Sequence, residues 1–142
     1  MKLRTMMLLA MVFVTACASV IAGPSDEATE HVNAVATGDV DKVMASYAET
    51  AVFQWVGGPL GGVYSGREAI RGVWSKFAKG NTPLTTKIEQ LAVSSNPKGS
   101  TVSANVTFSG KKTIKVRYIL VYRERSLVTE IWQIDPMLAS SY

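Results

Sequence analysis

A chain of 142 residues, 47% hydrophobic and 18% charged, is long enough for one hydrophobic core and too short for two ordinary domains. Its formal charge of +4 falls to +2 without Lys2 and Arg4, and no face concentrates the rest, which argues against a nucleic-acid partner. One cysteine excludes an intramolecular disulfide, and one histidine leaves no ligand set for a metal.

Residues 1–22 read as a leader. Lys2 and Arg4 form a basic start, Met6 to Val14 an apolar stretch, and small residues run from Thr15 to Ala22. Cleavage after Ala22 gives a folded domain of residues 23–142. Val14-Thr15-Ala16-Cys17 is an alternative, similar to a bacterial lipobox, that would lipidate Cys17 and make it the mature N-terminus. Either way the chain is expected to be exported to a bacterial envelope, touching membrane only through an N-terminal lipid. The apolar run falls short of the ~20 residues a spanning helix needs.

Pro24-Ser25-Asp26-Glu27 predicts a helix start, with Ser25 as cap and two acids at the positive helix end. Ala28, His31, Val32 and Val35 share one stripe, and Gly38 stops the helix. Asp39 caps a second helix whose stripe is Val40, Val43, Met44 and Tyr47. Ala51 to Val56 is a strand, followed by the loop Gly57 to Gly62, which lacks the lysine of a phosphate-binding loop. Val63 and Tyr64 form a brief strand. Ser65-Gly66-Arg67-Glu68 fits a capping box before a helix with Ile70, Val73, Trp74 and Phe77 on one face.

Thr85–Ser94, Thr101–Ser109, Thr113–Arg123 and Leu127–Ile134 are strands, separated by turn residues such as Asn96-Pro97-Lys98-Gly99. Helices first and strands last predict an α+β fold with an antiparallel sheet. On the penultimate strand Ile114, Val116, Tyr118, Leu120 and Tyr122 form one apolar row. Lys115, Arg117, Ile119, Val121 and Arg123 form the other, half-apolar row, consistent with a homodimer through the open sheet face.

Gly38-Asp39-Val40-Asp41, Ala48-Glu49-Thr50-Ala51-Val52-Phe53, Ser65-Gly66-Arg67-Glu68-Ala69-Ile70 and Ile131-Trp132-Gln133-Ile134-Asp135-Pro136 together resemble the SnoaL-like and ketosteroid-isomerase-like branch of the nuclear transport factor 2 superfamily. The resemblance implies a cone-shaped, curved sheet wrapped around N-terminal helices, a cystatin-like α+β roll with a cavity at its wide end. It also implies where isomerase machinery would stand. The family's base falls at Trp55, its second acid at Ile119 and its tyrosine at His31. None of the three is matched, so steroid isomerisation and an acidic group in the hollow are not expected.

The leading expectation is therefore a small-molecule-binding domain, without cofactor, whose pocket of Phe53, Trp55, Trp74, Ile119 and Trp132 takes a small apolar or aromatic molecule. A second reading is an isomerase, cyclase or lyase using His31 as acid and base, oriented by Tyr47, Gln54 or Glu130. A third is an envelope interaction or dimerisation module.

Overall fold

The computed structural model describes residues 21–135; the lipobox with Cys17 lies outside them. Helix α1 (Pro24–Thr37) starts at Gly23 rather than Ser25. Pro24 presets the first helical φ, and the Asp26 carboxylate accepts the Gly23 N–H at 3.1 Å. Ser25 sits inside the first turn, where its carbonyl accepts the Thr29 hydroxyl at 2.8 Å. Gly38 closes the helix at φ 76°, and a Cβ there would stand 2.4 Å from Thr82 Oγ1, so only glycine satisfies both backbone and space.

Helix α2 (Val40–Ala45) is one residue pair shorter than its apolar stripe suggests. The Asp39 carboxylate accepts the Lys42 N–H at 3.0 Å and starts it. Tyr47, expected on the helix, instead begins strand β1 (Tyr47–Val56), because Leu127 N–H bonds the Ser46 carbonyl at 2.7 Å and Tyr47 pairs with Leu127. Tertiary pairing overrides the local period here. Strand β2 (Gly62–Ser65) leads into α3 (Arg67–Asn81), which is capped by Gly66 and not by a Ser65–Glu68 box. Strands β3 (Thr85–Asn96), β4 (Gly99–Ser109), β5 (Thr113–Arg123) and β6 (Ser126–Ile134) complete the described chain.

The six strands form one sheet in the order β2-β1-β6-β5-β4-β3, with two free edges, so the sheet does not close into a barrel. Neighbours are antiparallel except β1 and β6, which run parallel. A parallel pair needs a long crossover, and here everything from β2 to β5 supplies it. Register shifts interrupt β1–β6, β3–β4 and β5–β6, and Gln90 takes φ 51° at the second of them. Such bulges bend strands and give the sheet its curvature.

Strand alternation sorts the side chains cleanly. Phe53, Trp55, Val102, Val106, Phe108, Val116, Tyr118, Leu120, Trp132 and Ile134 point to the concave side and are buried. Against them pack Val32 and Val35 of α1 and Ile70, Val73, Trp74 and Phe77 of α3. Each such side chain taken out of water contributes about 1.5–3 kcal/mol. The convex side carries Lys115, Arg117, Ile119, Val121 and Ile131, none of them fully buried. Among the described helices none is long and apolar enough to cross a membrane.

Candidate functional site

Four of the five residues expected to line a ligand pocket meet one another instead. Phe53 stacks on Trp74 with ring centroids 5.0 Å apart and planes 12° off parallel. Trp55 stacks on Trp132 at 4.9 Å, and Trp74 meets Trp132 edge-on at 5.4 Å. All four are at most 2% exposed. Such contacts are offset and tilted as ring quadrupoles prefer. Ile119 does not join them. It pairs with Ile131 on the convex side, because its neighbours Tyr118 and Leu120 are the inward residues of β5. The one-residue parity of a strand makes that placement a correction to the expected pocket.

The larger correction is at the centre. Glu130 of β6 is 0% exposed, in an interior expected to hold no acidic group. Its surroundings explain how it is tolerated. One oxygen, Oε1, lies 3.3 Å from His31 Nε2, and the other, Oε2, accepts the Tyr47 hydroxyl. Trp74 Nε1–H donates to that same Tyr47 oxygen at 2.9 Å. His31 is itself only 3% exposed. A buried carboxylate is tolerated when its oxygens have partners, and here one partner comes from α1 and one from β1, the latter held in turn by Trp74 of α3. Of the three partners considered for His31, Glu130 is in direct contact and Tyr47 is one bond further on. Gln54 is exposed on the other face of β1.

The remaining ring nitrogen reaches outward. Ser46 Oγ stands 3.2 Å from His31 Nδ1 and 3.1 Å from the Val43 carbonyl. A hydroxyl has one proton to give, so its direction follows the imidazole. With neutral His31, Ser46 O–H donates to Nδ1. With protonated His31, Nδ1–H donates to Oγ, and Ser46 O–H turns to the Val43 carbonyl. In this arrangement Nε2 carries a proton and donates it to Glu130 Oε1. Burial raises the Glu130 pKa above its ordinary value, and the charge and hydrogen bond of His31 pull it back. Ser46, His31 and Glu130 therefore form one hydrogen-bonded chain.

That chain opens on a hollow of about 380 Å³ between α1, α2 and the β5–β6 turn. His31, Ser46, Lys42, Glu30, Tyr122 and Arg125 are in its wall. Arg125 is held by Glu27 at 2.7 Å. Tyr122 is 3% exposed, and its hydroxyl has no hydrogen-bond partner among the described residues. Burial, then the nearby Glu27 charge, push the Tyr122 pKa far up, so this hydroxyl stays a donor. Among the described residues no cluster of three or more His, Cys, Asp or Glu could hold a metal.

Sequence reasoning passed over Ser46, Tyr122 and the central place of Glu130. For Glu130 a signal existed: it shares the inward row of Trp132 and Ile134, where a carboxylate is out of place. Ser46, at the end of a six-residue helix, gave none.

Solved structures carry the same architecture. A protein of unknown function from Pseudomonas putida, described as NTF2-like, superposes with a TM-score of 0.67 at 18% identity, covering 75% of this chain and 80% of that one. A protein from Nostoc punctiforme with a cystatin-like fold gives 0.61 at 14% identity, covering 78% and 86%. A protein with a ketosteroid isomerase-like fold from Catenulispora acidiphila, in complex with trimethylamine, gives 0.63 at 13% identity, covering 84% and 92%. No curated protein matches the chain. At these identities the likenesses speak to fold alone. The family model of the SnoaL-like domain matches residues 28–126, which span α1 through the start of β6 and so include His31, Ser46 and the aromatic cluster of β1 and α3, and this chain belongs to that family.

Proposed function

We propose that this chain is a small-molecule-binding domain whose ligand enters the hollow between α1, α2 and the β5–β6 turn and meets the Ser46–His31–Glu130 chain. The observation that carries the proposal is the buried His31–Glu130 pair, satisfied on its inner side and connected through Ser46 to open space. Structural networks also bury ion pairs, and what favours a functional reading of this one is its contact through Ser46 with the hollow. This one presents an exchangeable proton to a hollow of ligand size. The imidazole then acts as proton donor or acceptor toward a bound organic molecule. The Catenulispora protein of this fold, in complex with trimethylamine, supports a small-molecule reading at the level of the architecture. The leader pattern and Cys17 support an exported setting in a bacterial envelope.

The test uses the single histidine as reporter. A panel of small aromatic acids, ketones and amines is titrated while the His31 side-chain resonances are followed. At least one compound is expected to shift them, and Ser46→Trp, which fills the hollow, is expected to abolish that shift. Ligands that bind yet move only convex-side residues such as Ile119 would contradict the proposal.

A further inference from the structure

Ser46, His31 and Glu130 stand in the order nucleophile, base and orienting acid. Ser46 Oγ is 3.2 Å from Nδ1, and Nε2 is 3.3 Å from the carboxylate. Those distances are at the loose end of what an unoccupied hydrolytic triad shows, with the imidazole reversed from the usual arrangement, in which Nε2 faces the serine and Nδ1 the acid. Glu130 accepts the Tyr47 hydroxyl, which in turn accepts the Trp74 N–H, and the other Glu130 oxygen meets the far side of the imidazole. Unlike His31 and Glu130, Ser46 is only half-buried, and it lines the open hollow. The same wall includes Tyr122, whose hydroxyl is buried and has no partner among the described residues. Four buried side-chain atoms among the described residues have no partner, Trp55 Nε1, Trp132 Nε1 and the hydroxyls of Tyr118 and Tyr122, and of their residues Tyr122 alone is in this wall.

We propose that this hollow is an acyl-transfer site in which Ser46 attacks small carboxylic esters, His31 carries the proton, Glu130 positions His31, and Tyr122 donates to the oxyanion. In the first step the Ser46 Oγ–carbon bond forms as the hydroxyl proton passes to His31 Nδ1. The ester C–O bond then breaks, and that proton goes to the departing alkoxide, releasing an alcohol. In the second step water attacks the acyl carbon and gives its proton to His31. The Oγ–carbon bond breaks, Oγ takes the proton back, and a carboxylic acid leaves. Ester and water are consumed, acid and alcohol are produced, and nothing is oxidised or reduced. The neighbouring Val43 carbonyl, 3.1 Å from Oγ, is the acceptor that Ser46 returns to when the imidazole is protonated. This inference names the substrate class of the hollow and rests on the reading that organic molecules enter it.

The experiment treats the full chain with diisopropyl fluorophosphate, which traps an activated serine by forming an Oγ–P bond and expelling fluoride. Peptide mass spectrometry is expected to find one adduct, on Ser46. Ser46→Ala abolishes it, His31→Gln slows it by about 100-fold or more, and Tyr122→Phe, which keeps the ring and the fold, slows it by about 10- to 100-fold. Hydrolysis of p-nitrophenyl acetate follows the same order. No adduct, an adduct only on another residue, or equal labelling of wild type and Tyr122→Phe or His31→Gln would overturn the inference. If the probe shifts the His31 resonances but leaves Ser46 unmodified, acyl transfer falls and small-molecule binding stands.

Discussion

Replacing Glu130 by alanine is expected to lower unfolding stability by about 3–5 kcal/mol, the range for breaking a buried charge pair by removing one partner. The cost is not the loss of one contact. His31 Nε2–H and the Tyr47 hydroxyl both lose their acceptor in a site where water does not reach. Glu130→Gln keeps an oxygen for Tyr47 and the shape of the side chain, and is expected to cost only about 1–2 kcal/mol. Urea unfolding of the three proteins at fixed pH checks the order.

Wild type and Glu130→Gln also separate by pH. Burial raises the folded pKa of Glu130 above its ordinary 4.5, so the folded protein holds that proton more tightly than the unfolded chain. The stability from this difference is complete below about 4.5 and declines as pH climbs through the raised folded value. Wild type is therefore expected to lose stability with rising pH across that window. Glu130→Gln, which does not titrate, lacks that component of the slope. A wild-type curve with the same slope as Glu130→Gln would contradict the assignment.

The second large effect belongs to the aromatic cluster. Trp132→Ala is expected to cost about 3–5 kcal/mol, because the ring is 0% exposed and stacks on Trp55 at 4.9 Å and on Phe108 at 5.1 Å. Trp132→Phe is expected to be much milder. The Trp132 Nε1–H has no partner among the described residues, so removing it breaks no hydrogen bond and the loss is one of area alone. Thermal unfolding decides between core and ligand seat. A ligand-facing ring truncated to alanine would leave the midpoint near wild type, whereas a core ring lowers it steeply.

These expectations show which parts of the fold could be read from residue order. The alternation of Phe53 and Trp55, and of Ile114 through Tyr122, gave the inward faces of β1 and β5, because residues two apart in a strand share a face. The helix stripe of Ile70, Val73, Trp74 and Phe77 did the same for α3. What alternation does not carry is pairing. Nothing in the β1 and β6 segments says that they run parallel, yet that pairing sets Phe53 opposite Glu130 and Trp55 opposite Trp132. Alternation also put Ile119 in the outer row; its place in the expected pocket came only from the family resemblance, and in the structure it lies on the opposite face.

The site was harder to read for a different reason. Ser46, His31, Tyr47 and Glu130 come from α1, the α2–β1 junction and the last strand, and His31 and Glu130 are 99 residues apart. Only His31 carries a side chain whose chemistry stands out by itself. Glu130 in solvent and Glu130 in the core are the same letter. Their difference is the set of partners that folding brings to it, His31 of α1 and Tyr47 of β1, and no spacing rule encodes a set drawn from such distant elements.

The most direct measurement is the nitrogen-15 spectrum of the His31 ring in the folded protein. If Nε2–H is held by Glu130, that nitrogen stays protonated whether or not Nδ1 carries a second proton, and its hydrogen exchanges slowly with water. In Glu130→Gln the preference is weakened or reversed. A ring that averages freely between its two tautomers, with the same spectrum in wild type and Glu130→Gln, would mean that no such pair exists.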